Sequence, residues 1–125
     1  MTKTRDSGCI ITVLASPDQP AAFVCLAGEI DQAATERLSY AADRLATVAP
    51  AGVVVDLEAV TFAGATLPNF VARIYRLVPD GTSVVLCRPR PMTRWVLEAT
   101  GMNQIATLRD DLPASSSLSA TPVAY

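Results

Sequence analysis

The stretch that decides the fold runs from Gly52 to Phe70, GVVVDLEAVTFAGATLPNF. Its first part, Gly52-Val53-Val54-Val55-Asp56-Leu57, is apolar without alternation, the pattern of a strand covered on both faces, as in a sheet with parallel crossovers. Small residues follow at Ala63-Gly64-Ala65. Leu67, Phe70, Val71, Ile74, Leu77 and Val78 then recur at helical spacing and stop at Pro79-Asp80-Gly81. A central strand leading through a tight turn into an amphipathic helix is half of a βαβ unit. One hydroxyl, Thr66, stands at the turn.

The same alternation extends in both directions. Upstream, Cys9–Leu14 and Ala22–Ala27 are two strands separated by the turn formers Ser16-Pro17-Asp18-Gln19-Pro20. Between Gln32 and Ala49 the residues Ala34, Leu38, Ala41, Ala42, Leu45 and Val48 mark one apolar helix face, while Glu36, Arg37, Asp43 and Arg44 fall elsewhere. Downstream, Thr82–Cys87 reads as another buried strand. Pro91 opens a third helix with Met92, Trp95, Val96 and Ala99 on its inner face and Gly101 past its end. Gln104–Leu108 is a last short strand. The order ββαβαβαβ predicts a single layered α/β domain over residues 9–109, with a mixed, mostly parallel sheet of about five strands and three or four helices. Residues 1–8 are an N-terminal extension. The Ser/Ala/Pro-rich residues 110–125 show no period and are expected to be a mobile tail.

Composition narrows the function classes. The chain has 125 residues, 50% of them hydrophobic, and a net charge of −2. Nine of its ten basic residues are arginines, but twelve acids are interspersed with them, so no nucleic-acid surface is implied. From Arg73 to Arg94 the charges are Arg73, Arg76, Arg88, Arg90 and Arg94 against Asp80 alone, which reads either as a local basic face or as a solvated surface. There is no histidine, which removes histidine-based triads and His-ligated zinc. Cys9, Cys25 and Cys87 lie in apolar runs and read as small buried hydrophobes; Cys87, the one nucleophile at a strand end, reads as packing too. No metal set, dinucleotide glycine fingerprint or phosphate loop occurs, so no cofactor is expected. No apolar run approaches the ~18 residues that span a bilayer, and the expected location is cytoplasmic, without membrane insertion.

Among the acids, Asp31 after Gly28-Glu29-Ile30 has the type and position of a helix cap bonding the N–H of Ala33 or Ala34. A catalytic pairing of Glu29 with Asp31 is not implied, because the sequence shows no substrate cleft around them. Asp56, read as the C-terminal end of the central strand, lies where open α/β sheets place ligands, or else bonds nearby backbone.

Three pieces in register, Gly28-Glu29-Ile30-Asp31, Val54-Val55-Asp56-Leu57 with Val60-Thr61-Phe62, and Pro91-x-x-Arg94-x-x-Leu97-x-x-Thr100-Gly101-Met102, resemble the bacterial anti-sigma-factor antagonists, the STAS domain. The resemblance covers about residues 9–108. It implies a STAS-like fold and a partner switch rather than an enzyme: the unphosphorylated protein binds an anti-sigma factor, often a serine kinase of histidine-kinase-like fold, and regulates sigma-dependent transcription. Phosphorylation of one Ser or Thr at the start of the second helix breaks that complex. Family sequences read Asp, Ser or Thr, Ser or Thr, Gly, Leu after the equivalent of Phe62-Ala63. Here the positions are Gly64, Ala65, Thr66, Leu67 and Pro68. Thr66 keeps the acceptor, while Gly64 removes an acid, Leu67 adds bulk and Pro68 deletes an N–H and disfavours helical angles at Leu67, making Leu67 or Thr66 the cap. The partner surface so implied comprises Asp31, Asp56, Gly64, Ala65, Thr66, Leu67, Asn69 and Arg73. Two alternatives stand beside the switch, a phosphorylation-independent scaffold and a sensor subunit of a stress-signalling or lipid-transport assembly. A homodimer is left open.

Overall fold

The computed structural model describes residues 8–113 and 123–125. The chain order is β1 (Cys9–Leu14), β2 (Ala21–Ile30), α1 (Thr35–Val48), β3 (Gly52–Ala63), α2 (Thr66–Leu77), β4 (Ser83–Cys87), α3 (Pro91–Ala99), β5 (Thr107–Arg109) and β6 (Val123–Ala124). Short 3₁₀ turns at Gln32–Ala34 and Met102–Gln104 precede α1 and β5. The strands form one sheet in the order β5-β4-β3-β2-β1-β6. β2, β3, β4 and β5 are parallel neighbours, and β1 runs antiparallel to both β2 and β6. The mixed, mostly parallel sheet with three helices is the architecture expected from the alternation of patterns.

From β2 to β5 each strand is followed by a helix, and each step crosses the sheet in the same direction. Right-handed crossovers then place all three helices on one face. The core agrees: Leu38 and Leu45 of α1, Phe70 and Ile74 of α2 and Leu97 of α3 share one buried cluster with Ile11, Leu26, Val55 and Leu86 of the sheet. Among the described residues the opposite face holds a smaller buried cluster of Phe23, Val54 and Cys87, with Leu14, Ala21 and Val85 packed against it. Because strand side chains alternate, Val53, Val55 and Leu57 point to the helices, whereas Val54 and Asp56 point away.

Four expectations need correction. β3 continues six residues past Leu57, because Ala59, Val60, Phe62 and Ala63 keep pairing with β2, so Asp56 is a mid-strand residue and not a strand end. On α3 the buried edge is Thr93 and Leu97, while Met92 and Trp95 are 72% and 63% exposed. This short helix has two apolar edges, only one of which can face the sheet. The last parallel strand is Thr107–Arg109, and a 3₁₀ turn occupies the start of the stretch expected to be extended. Of the expected tail, residues 114–122 lie outside the described residues. Its end is ordered strand: Val123 and Ala124 pair with Val13 and Thr12, and the Tyr125 N–H donates to the Ile11 carbonyl at 2.8 Å.

Gly28 shows why a glycine sits in the Gly28–Asp31 motif. It lies at a register shift in the β2–β3 ladder, with φ of 87°. The β1 side presses on the same point, and a Cβ built at Gly28 would fall 1.6 Å from the Gly8 carbonyl oxygen. Gly28→Ala is therefore expected to destabilise the fold by more than about 2 kcal/mol, read as a lower urea midpoint at unchanged slope. A variant within about 0.5 kcal/mol of wild type would contradict this reading.

Candidate functional site

β2 and β3 end side by side, with Ile30 opposite Ala63. The two helix entrances that follow are thereby neighbours, and the Gly64 N–H donates to the Ile30 carbonyl at 3.3 Å, tying one entrance to the other. At the first, Asp31 adopts an extended conformation and its Oδ1 accepts the Ala33 N–H at 3.1 Å, capping the 3₁₀ turn before α1. The expected cap is present, on the 3₁₀ turn and not on α1 itself.

The second entrance departs from expectation. Ala65 occupies the cap position with helical angles, φ −61° and ψ −21°, and no side chain caps the helix. Thr66 is the first helical residue, half-buried, and its hydroxyl holds no cap bond. Leu67 is helical although proline follows. Its side chain is fully buried in the core, which outweighs the steric bias against helical angles before proline. Pro68, third in the helix, loses nothing by lacking an N–H, because the first four N–H groups of a helix have no carbonyl partner within it.

Of the eight candidate partner-contact residues, Asp31, Gly64, Ala65, Thr66 and Asn69 come together around one open depression of about 430 Å³. Gln32, Thr35 and Phe62 complete it. Phe62 is 55% exposed and is not among the candidates the sequence offers: two residues past buried Val60, simple alternation would turn it inward, and the register shift between Gly28 and Glu29 opposite it turns it out. A second cleft of about 200 Å³ adjoins the first between α1 and α2, and Arg73 and Arg76 line it with Thr66 and Asn69.

The other two candidates lie elsewhere. Leu67 is sealed inside and presents no side chain to a partner. Asp56 lies on the sheet face opposite the helices, where Arg88 grips it through Nη2 at 2.7 Å and Nε at 3.3 Å, and its Oδ1 accepts the Glu58 N–H at 3.2 Å. Arg88 holds this position with a left-handed φ of 56° and donates its own N–H to the Arg109 carbonyl at 2.7 Å. Asp56 is an internally satisfied carboxylate. Nor do the arginines form a common basic face: Arg73 pairs with Asp43 at 3.1 Å, Arg88 with Asp56 and Glu58, and Arg94 with Asp110 at 2.6 Å.

Among the described residues no group of three or more His, Cys, Asp or Glu is placed to hold a metal ion. No helix among them is long and apolar enough to cross a membrane. Cys9 and Cys87 are buried, as read from the sequence, but Cys25 is exposed because its position in β2 points away from the helices. Desolvation, then the neighbouring Asp56 carboxylate, pushes the Cys25 thiol up. Asp111 moves the other way, its carboxyl held below the usual range first by its hydrogen bond with the Arg109 guanidinium.

Comparison with known proteins agrees with this architecture. A family model described as the STAS domain matches residues 15–114. The chain is similar to the crystal structure of an anti-sigma factor antagonist from Mycobacterium paratuberculosis, with 29% identity over 82% of this chain and 87% of that one and a TM-score of 0.68. It is also similar to the anti-sigma factor antagonist SpoIIAA in its unphosphorylated form, with 15% identity, 81% and 89% coverage and a TM-score of 0.60. An anti-sigma-factor antagonist (STAS) domain protein from Planctomyces limnophilus shows 18% identity, 82% and 91% coverage and a TM-score of 0.57. The last two likenesses speak to the fold alone. No curated protein matches the chain.

The Cys25 environment is testable. A thiol reagent at pH 8 is expected to modify Cys25 in preference to buried Cys9 and Cys87. Asp56→Asn removes a charge that disfavours the thiolate and should speed that reaction by about two- to fivefold; an unchanged or slower rate would contradict the assignment.

Proposed function

The chain belongs to the STAS domain family, and from that premise we propose that it is a non-enzymatic docking module that binds an anti-sigma factor, a serine/threonine kinase of histidine-kinase-like fold, and thereby regulates sigma-dependent transcription. The docking surface is the depression at the ends of β2 and β3, and Thr66 is the phosphoacceptor. The observation that carries the reading is Thr66 itself: the first residue of α2, with its hydroxyl uncommitted to capping, on the wall of an open depression.

The surroundings support a protein contact. Phe62 offers an exposed aromatic anchor at the rim, and such side chains carry much of the energy of interfaces. Gly64 and Ala65 keep the turn low, so a partner backbone can approach Thr66. The departures from the family pattern at Leu67 and Pro68 do not obstruct this approach, because both residues are buried beneath the turn. Asp31 stands on the same wall with its carboxylate turned to the Ala33 N–H.

The switch follows from charge. The γ-phosphoryl group of Mg-ATP held by the kinase passes to Thr66 Oγ1, ADP leaves, and the hydroxyl proton goes to a base of the kinase. The product carries roughly two negative charges in a depression that already contains Asp31. Repulsion and desolvation of about 1–3 kcal/mol lower the affinity by roughly ten- to a hundredfold.

Titration calorimetry against the histidine-kinase-like anti-sigma factors of its own cell is expected to show a one-to-one complex with one of them. Phe62→Ala and Thr66→Glu should each weaken that complex by about tenfold or more without unfolding the protein. Intact-mass measurement after incubation with the kinase and Mg-ATP should find one phosphate, absent in Thr66→Ala. No complex with any of these factors would overturn the docking assignment. A complex without phosphate uptake would instead assign the chain to phosphorylation-independent docking.

A further inference from the structure

The cleft between α1 and α2 has a polar and basic lining. Its polar lining consists of the Thr35 and Ser39 hydroxyls on α1 and of Thr66, Asn69, Arg73 and Arg76 on α2, without a carboxylate among the residues that line it. Arg76 has no ion pair among the described residues. Arg73 is half-used: Nη2 donates to Asp43 Oδ1 at 3.1 Å, while Nε is sealed from solvent and has no hydrogen-bond partner. Nε and Nη2 form one edge of the guanidinium fork, the edge that an oxyanion engages through two parallel bonds. Asp43, itself 57% exposed, fills only one arm of it.

Thr66, Asn69 and Arg73 follow one another at spacings of three and four, so they form a line along one side of α2. Arg73 is two turns, about 10 Å along the helix axis, from Thr66, and its guanidinium now reaches across to Asp43 on α1, so it must swing along the cleft to meet a group on Thr66. The charged residues that line the depression and the cleft are Asp31, Arg73 and Arg76, with Asp43 of α1 paired to Arg73; Glu29 on β2 and Glu36, Arg37 and Arg44 on α1 line neither. A negative group on Thr66 is repelled from the Asp31 side and drawn into the cleft.

We propose that this cleft is an internal seat for the phosphoryl group of phosphorylated Thr66, gripped by the Asn69 side-chain amide and the Nε–Nη2 edge of Arg73, with Arg76 at the rim. The inference rests on Thr66 being the phosphoacceptor and adds a regulatory consequence to it. Capture draws Arg73 off Asp43 and takes Asn69 and Arg73 away from any partner. The switched-off state is then a reorganised surface as well as a more negative one.

The test needs neither kinase nor partner. Phosphothreonine is placed at position 66 of the full chain during translation, and its ³¹P resonance is followed against pH in the native and the urea-unfolded protein. The native group is expected to titrate about one pH unit lower than the unfolded one, because a guanidinium favours the dianion. Arg73→Gln should abolish the difference, and Arg44→Gln, on α1 outside the cleft, should leave it. A native midpoint equal to or above the unfolded one would overturn the proposal, since the wild-type comparison involves no substitution that could unfold the chain. Loss of the difference in Arg44→Gln as well would assign it to overall charge and overturn the proposal too. Failure of the anti-sigma binding titrations would leave this measurement untouched, so the two readings fail separately.

Discussion

The register of β2 against β3 is the constraint on which the rest of the molecule depends. Parallel pairing from Ala21 opposite Gly52 to Ile30 opposite Ala63 makes the two strands finish together. Each strand is followed at once by a helix, and parallel crossovers of one hand lay those helices side by side on the same face. Two helix entrances therefore open next to each other at one end of the sheet, and Asp31 and Thr66 become neighbours although 35 positions separate them in the chain. The close approach of Gly8 to Gly28 at the bulge belongs to the same constraint, because it allows β1, β2 and β3 to remain paired through the irregularity.

Burial then sorts the residues around those entrances. Leu67 and Pro68 serve the core, and Thr66, Ala65 and Asn69 serve the surface, within a single helical turn. A proline in the first turn and a bulky residue where relatives have glycine look disruptive in a linear motif, yet both are absorbed beneath the turn because the apolar side of α2 already faces the sheet. Charge is sorted in the same way. Asp56 and Arg88 satisfy one another on the far face of the sheet, 2.7 Å apart, which removes both from the set of groups available to a ligand. Arg73 lines the cleft and keeps one unfilled donor, its Nε, sealed from solvent beside Asp43.

The family resemblance was legible in short pieces of sequence because each has a local physical reason: an unalternating apolar strand, a cap at Asp31, a proline-initiated third helix. Thr66 as the hydroxyl at the head of the second helix was legible for the same reason. The exposure of Phe62 was not, since an aromatic at a strand end reads as core until strand pairing assigns it a side. Trp95 and Met92 were placed on the wrong edge of α3, because a nine-residue helix with two apolar edges carries no internal record of which edge turns inward.

By itself, the sequence determined the type and order of the elements from β1 to β5, the layered α/β class and the position of Thr66, because these follow from local periodicity, caps and turns. Only the tertiary structure decided that β3 extends to Ala63, that Asp56 faces away from Thr66, that Val123 and Ala124 close the sheet edge, and that Arg73 and Asn69 share a cleft with Thr66. Each of these depends on pairing register or helix rotation, which are set by contacts between residues far apart in the chain.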